Sequence, residues 1–90
     1  MPTVKFTRHL KRYFPELDAL EVDGETVLDV VLAVDAIHPG FAFYVVDEQK
    51  RLRKHVNVFI GDVMVKDRET LSDTVTTSDE IYIMQALSGG

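Results

Sequence analysis

Val27, Val30, Val31, Val34 and Ile37 recur at intervals of three and four residues, the spacing that lines side chains along one side of an α-helix. Valine lowers intrinsic helix propensity because its branched Cβ restricts χ1, so a strand is the competing local reading. The ends decide for a helix. Thr26 offers an N-cap with Asp29 three residues on, where a carboxylate also suits the positive end of the helix dipole. His38-Pro39-Gly40 supplies the stop. One amphipathic helix cannot bury its valines alone, so the rest of the chain must offer them a sheet.

The flanking segments carry the strand period. Val4-Lys5-Phe6-Thr7 and Leu20-Glu21-Val22-Asp23 alternate apolar and polar residues, the second ending at the turn signal Asp23-Gly24. They are expected to pair as a hairpin across a polar connection, Arg8 to Asp18, that holds Pro15, Tyr13 and Phe14. Phe41 to Val46 is aromatic and branched and reads as a strand. After the polar loop Asp47 to Lys50, the stretch His55 to Ile60 alternates, with Val56, Val58 and Ile60 on one face and Asn57 and Phe59 on the other. Gly61-Asp62 marks a turn, and Val63 and Val65 suggest a further short strand. Thr70-Leu71-Ser72-Asp73 resembles a cap followed by one helical turn. Glu80 to Leu87 reads as the last strand and runs into Ser88-Gly89-Gly90. This order predicts a two-layer α+β domain over residues 1–87, a mixed sheet of four to five strands on one main helix, with 88–90 as a flexible tail.

Ninety residues suit one core, and a 46% hydrophobic share with 28% charged residues is ordinary for a globular chain. No run approaches a membrane span, and Met1-Pro2-Thr3-Val4-Lys5 does not read as a signal peptide, so no membrane contact and a cytoplasmic location are expected. The chain has no cysteine, which removes disulfides, thiolate metal sites and cysteine nucleophiles together. His9, His38 and His55 are too widely spaced for a metal site. A net charge of -5 argues against nucleic acid as the main partner. The run Lys50-Arg51-Leu52-Arg53-Lys54-His55 goes against that trend and reads first as a solvated hairpin, second as a contact for an acidic partner surface. No nucleophile–base set, phosphate loop or paired-carboxylate motif is present, so an enzyme in its own right is not expected.

Gly89 and Gly90 are the candidate chemistry. By composition alone a given glycine pair arises about once in two hundred, and a frayed end is the bland explanation. Their place directly after a final strand, with only Ser88 between, raises their weight. Glycine lacks a Cβ, so a diglycine leader can carry a carboxylate through a narrow channel and close to a nucleotide. Joined to AMP, that carboxylate becomes an acylating group, and a sulfur nucleophile can displace AMP to leave a thiocarboxylate.

The sequence resembles the ubiquitin-like sulfur carriers of the ThiS and MoaD family, the MoaD branch in particular and within it the carrier for cysteine synthesis. The resemblance spans nearly the whole chain and is carried by Arg53-Lys54-His55-Val56-Asn57-Val58-Phe59-Ile60, Asp79-Glu80-Ile81-Tyr82-Ile83-Met84 and Ala86-Leu87-Ser88-Gly89-Gly90, with Pro39-Gly40 and Asp47-Glu48-Gln49 in support. It implies a β-grasp with the first and last strands side by side at the centre. It also implies an ATP-dependent, ubiquitin-activating-type adenylyltransferase that adenylates Gly90, Gly89 serving as leader, and a synthase that accepts the sulfur. ATP is then the activating enzyme's cofactor and none is bound by this chain, a monomer when free. The chain departs from the family pattern at Gln85, often proline, and at Gly61-Asp62.

Alternation adds a partner surface. With Ile81 and Ile83 toward the helix, Tyr82 and Met84 face away from it beside Phe59. Phe59, Tyr82 and Met84, with Leu87 and Ser88 at the tail, are the expected partner contacts, unless the Arg8 to Asp18 loop folds over that face. Asp79 and Glu80 are expected near the base of the tail, as acidic contacts or as solvated surface. Two other functions stay open: a protein modifier joined through Gly90 to lysines, and a β-grasp binding module whose glycines are incidental.

Overall fold

The computed structural model describes residues 1–7, 10, 12, 14 and 18–85. Among these residues five strands and two helices follow one another: β1 (Thr3–Phe6), β2 (Leu20–Glu21), α1 (Val27–Ile37), α2 (Phe41–Val45), β3 (Val56–Ile60), β4 (Val63–Met64) and β5 (Glu80–Gln85). The sheet order is β2-β1-β5-β3-β4. β1 and β5 run parallel, with Val4 opposite Ile81 and Phe6 opposite Ile83, and every other pairing is antiparallel. The first and last strands thus lie together inside the sheet. This is the ubiquitin-like β-grasp in its α+β form, a mixed five-stranded sheet under a main helix.

The valine stripe explains the packing. Val27, Val30, Val31 and Val34 are buried with Val4, Val56, Val58, Ile81 and Ile83 from the sheet. Ile37 departs from expectation: it closes the helix at 56% exposure, beyond the reach of the sheet. At the other end every first-turn donor is satisfied. Thr26 Oγ1 accepts from Asp29 N at 3.2 Å, and the carbonyls of Asp73 and Leu71 accept from Val27 N and Leu28 N at 3.0 Å each. Asp29 reaches back to Glu25 N at 3.1 Å, one residue before the cap.

Phe41 to Val46 is not a strand, which corrects the sequence expectation. Phe41 and Val45 are buried while Phe43 stands 70% exposed. In a strand these three would share a face; in a helix only the pair four apart does. The local cause is Asp35, whose Oδ1 accepts from Gly40 N at 3.1 Å and Ala42 N at 2.9 Å and starts the turn. Gly40 at φ 96° makes the left-handed step between the helices that a Cβ would penalise. Val46 keeps only an isolated bridge to Leu52.

Three smaller expectations shift. β4 is Val63–Met64, with Val65 buried beyond it. Gly61-Asp62 forms the two-residue hairpin loop, positive φ at Gly61 alone fitting a type II′ turn. The turn expected from Thr70 starts instead at Asp67, whose Oδ1 accepts from Glu69 N and Thr70 N and whose carbonyl accepts from Leu71 N. Five donors in all converge on that carboxylate, with the Thr70 and Ser72 hydroxyls first among the causes that hold it well below the usual carboxylate range. The loop so fixed delivers Leu71 to the core and its carbonyl to the helix cap.

Candidate functional site

The face of the sheet away from α1 is the candidate site, and strand register assembles it. Tyr82 on β5 lies opposite Lys5 on β1 and Phe59 on β3, and Phe59 lies opposite Met64 on β4. Lys5, Tyr82, Phe59 and Met64 therefore make one row across four strands. The next row places Met84 opposite Asn57. Tyr82 is 38% exposed, Met84 37% and Met64 48%, with Phe59 half-buried between them. Large apolar side chains grouped in this way on an uncovered face are the mark of an interaction surface.

The described apolar residues of the loop that might have covered this face pack on the helix side. Among its described residues, Leu10 is buried in the core, and Phe14 packs edge-on against Phe41 at 5.8 Å and Tyr44 at 5.2 Å. Phe41 in turn meets Phe6 at 5.5 Å, so this aromatic group belongs to the helix side of the sheet.

Charges frame the apolar rows. Lys5 Nζ contacts Glu80 Oε1 at 2.7 Å, and that hydrogen bond holds the ammonium pKa above its ordinary value. Glu80 is the first residue of β5 and Gln85 the last described one, so the acidic pair lies at the end of the strand remote from the tail. Asp79 Oδ2 is engaged there by Thr76 N at 2.8 Å. Asp79 and Glu80 are thus not at the base of the tail as expected, because the strand between them and it is fully extended. What lies at that base is Gln85 opposite Val56, directly after the basic run. Gln85 N donates to Thr7 Oγ1 at 3.3 Å, and Gln85 Oε1 is buried without a hydrogen-bond partner among the described residues.

Of the expected site residues, Phe59, Tyr82 and Met84 come together on one face, while Leu87, Ser88, Gly89 and Gly90 lie outside the described residues. Sequence reasoning passed over Met64, although a two-residue loop at 61–62 fixes its face as that of Phe59. It also passed over Arg68, whose guanidinium bonds Asn57 Oδ1 at 2.7 Å, Arg53 O at 2.8 Å and Val56 O at 2.9 Å. No periodic signal marks a side chain that acts through backbone carbonyls. Among the described residues no group of three or more His, Cys, Asp or Glu is placed to hold a metal ion, and no helix is long and apolar enough to cross a membrane.

No family model matches the sequence, and no curated protein sequence does. Solved structures do match. A chain of the BexX/CysO complex of Amycolatopsis orientalis superposes with a TM-score of 0.85 at 27% identity, covering 100% of both chains. The small archaeal modifier protein 1 of Methanosarcina acetivorans gives 0.79 at 26% identity over 98% of this chain and 94% of its own. Mycobacterium tuberculosis CysO, at 20% identity over 97% and 100%, gives 0.83 and speaks to the fold. Over its whole length the chain resembles the ThiS/MoaD-type ubiquitin-like proteins.

Proposed function

We propose that the chain is a sulfur carrier whose Gly90 carboxylate is its working group. The carboxylate attacks the α-phosphorus of ATP in the site of an activating enzyme, and pyrophosphate leaves. Hydrosulfide supplied by a donor then attacks the acyl carbon, AMP leaves with the loss of a proton, and a thiocarboxylate remains to supply a synthase of cysteine, molybdopterin or thiamine type. The chain is a co-substrate in these steps, with 1–87 as the folded domain, 88–90 as the tail and the cytoplasm as the place. Phe59, Tyr82 and Met84 seat the activating enzyme, Leu87 and Ser88 line the entry, and Gly89 leads Gly90 inward.

The observation that carries this reading is the two-sidedness of β5. The strand leading to the tail keeps Ile81 and Ile83 in the core and turns Tyr82 and Met84 outward. A partner that takes the tail meets an apolar platform on the same strand. Likeness to a chain of the BexX/CysO complex supports carriage by docking on another protein. ATP–pyrophosphate exchange with candidate activating enzymes tests it: exchange should depend on this chain and vanish when Gly89-Gly90 is removed. Exchange that ignores the truncation would point to the incidental-glycine binding module.

Likeness to a small archaeal modifier protein favours a second reading, in which Gly90 is joined to target lysines. It predicts a ladder of higher-mass conjugates in cells that disappears when Gly90 is deleted. The same activation chemistry serves both.

A further inference from the structure

Four of the chain's ten lysines and arginines, Lys50, Arg51, Arg53 and Lys54, fall within five residues although the net charge is -5, and Arg68 lies near them in the fold. The fold brings four of these five to one open groove of about 480 Å³, lined by Arg51, Arg53, Lys54, His55 and Arg68, with Asp47 and Glu69. Arg51 is matched by Asp47, Nε to Oδ2 at 3.3 Å. Among the described residues no carboxylate is paired with the other three cations. Arg53 Nε donates to Phe43 O at 2.7 Å, and Arg68 donates only to neutral oxygens. Lys54 is exposed. The groove therefore presents net positive charge on an acidic protein.

Its position gives that charge a direction. Val56, next after His55, lies opposite Gln85, so the basic run and the root of the tail share one edge of the sheet. Arg68 extends the cluster to Asn57, which pairs with Met84 in the open apolar face. Apolar platform, basic groove and tail root are thus contiguous. We propose that the groove formed by Arg53, Lys54 and Arg68 docks an acidic surface on the protein that receives the tail. The proposal rests on the reading of the tail end as partner-facing and adds the charge that partner must carry.

A protein surface fits better than a free phosphate. Asp47 and Glu69 stand in the same groove as the cations, which penalises a compact polyanion more than a carboxylate-studded rim. Exposed charges of this kind act mainly on the rate and specificity of encounter, and salt screens them.

Two measurements test the proposal. In the first, a short polyglutamate peptide is titrated into the 15N-labelled full chain. Amide shifts should centre on Arg53, Lys54, His55 and Arg68, fade between about 50 and about 300 mM KCl, and be lost in R53E/K54E with its melting temperature retained. Shifts centred elsewhere, no salt-dependent shifts, or tighter binding of inorganic pyrophosphate at the same residues would overturn it. The exposed single variant K54E serves if the double variant melts early. In the second, adenylation is followed with the activating enzyme: K54E should raise KM for this chain by about tenfold with kcat unchanged, whereas K66E, outside the groove, leaves both unchanged. An unchanged KM in K54E contradicts the proposal. If wild type is not adenylated at all, the tail reading fails while the peptide titration still decides the groove.

Discussion

The two faces of β5 differ by one residue of register and by everything that packs on them. Ile81 and Ile83 are fully buried beneath α1, and Tyr82 and Met84, their immediate neighbours, stand more than a third exposed. Both faces are apolar, so hydrophobicity alone does not separate core from interface. The separation lies in what the described residues supply: a valine-faced helix, Leu10, Phe41 and Leu71 on one side, and on the other a frame of charges. An apolar face left open among the described residues is what the proposed docking of a partner requires.

The comparison is broken most severely from the buried side. Ile83→Ala should cost about 2–5 kcal/mol, seen as a lower urea midpoint at unchanged slope. Thr26→Ala, which removes one cap bond beneath the same helix, should cost about 1 kcal/mol by the same titration. On the open side, Phe59→Glu and Met84→Glu should leave unfolding free energy within about 0.5 kcal/mol while weakening partner binding. Melting of either variant would mean that this face is core after all. Gly90→Ala should have the smallest effect on stability, none by thermal melt, and a large one on adenylation rate.

A further contrast concerns pH. Asp67 is held in ionised form by the donors of its own loop, so its folded pKa lies below the unfolded value of about 3.9. Its contribution is complete above that value and is lost as pH falls toward the folded pKa. Melting temperature followed from pH 7 downward should therefore drop less steeply below about pH 4 in Asp67→Asn than in wild type. Equal slopes would show that the loop is not held by that charge.

Much of this architecture was legible before any coordinates. Helix spacing from Val27 to Val34, the Thr26 cap and the alternation in β3 and in β5 as far as Gln85 are local signals, and the structure agrees with each. Alternation likewise placed Phe59, Tyr82 and Met84 on one face. What escaped was set by tertiary context. Phe41 to Val45 has strand-like residues but is turned helical by the Asp35 carboxylate and the left-handed Gly40. Asp79 and Glu80 are near the tail in sequence but not in space, because the extended β5 lies between. Arg68 reaches the site only through carbonyls across a loop, which no spacing encodes.

The central claim is that Gly90 carries activated sulfur. Intact-mass spectrometry of the full chain, after incubation with an activating enzyme, ATP and a sulfur donor, tests it most directly. The account predicts a species heavier by the exchange of one oxygen for one sulfur, located at Gly90 by fragmentation and lost when ATP is omitted. An unchanged mass with every cognate activating enzyme, or a sulfur adduct placed anywhere but the terminus, would contradict it.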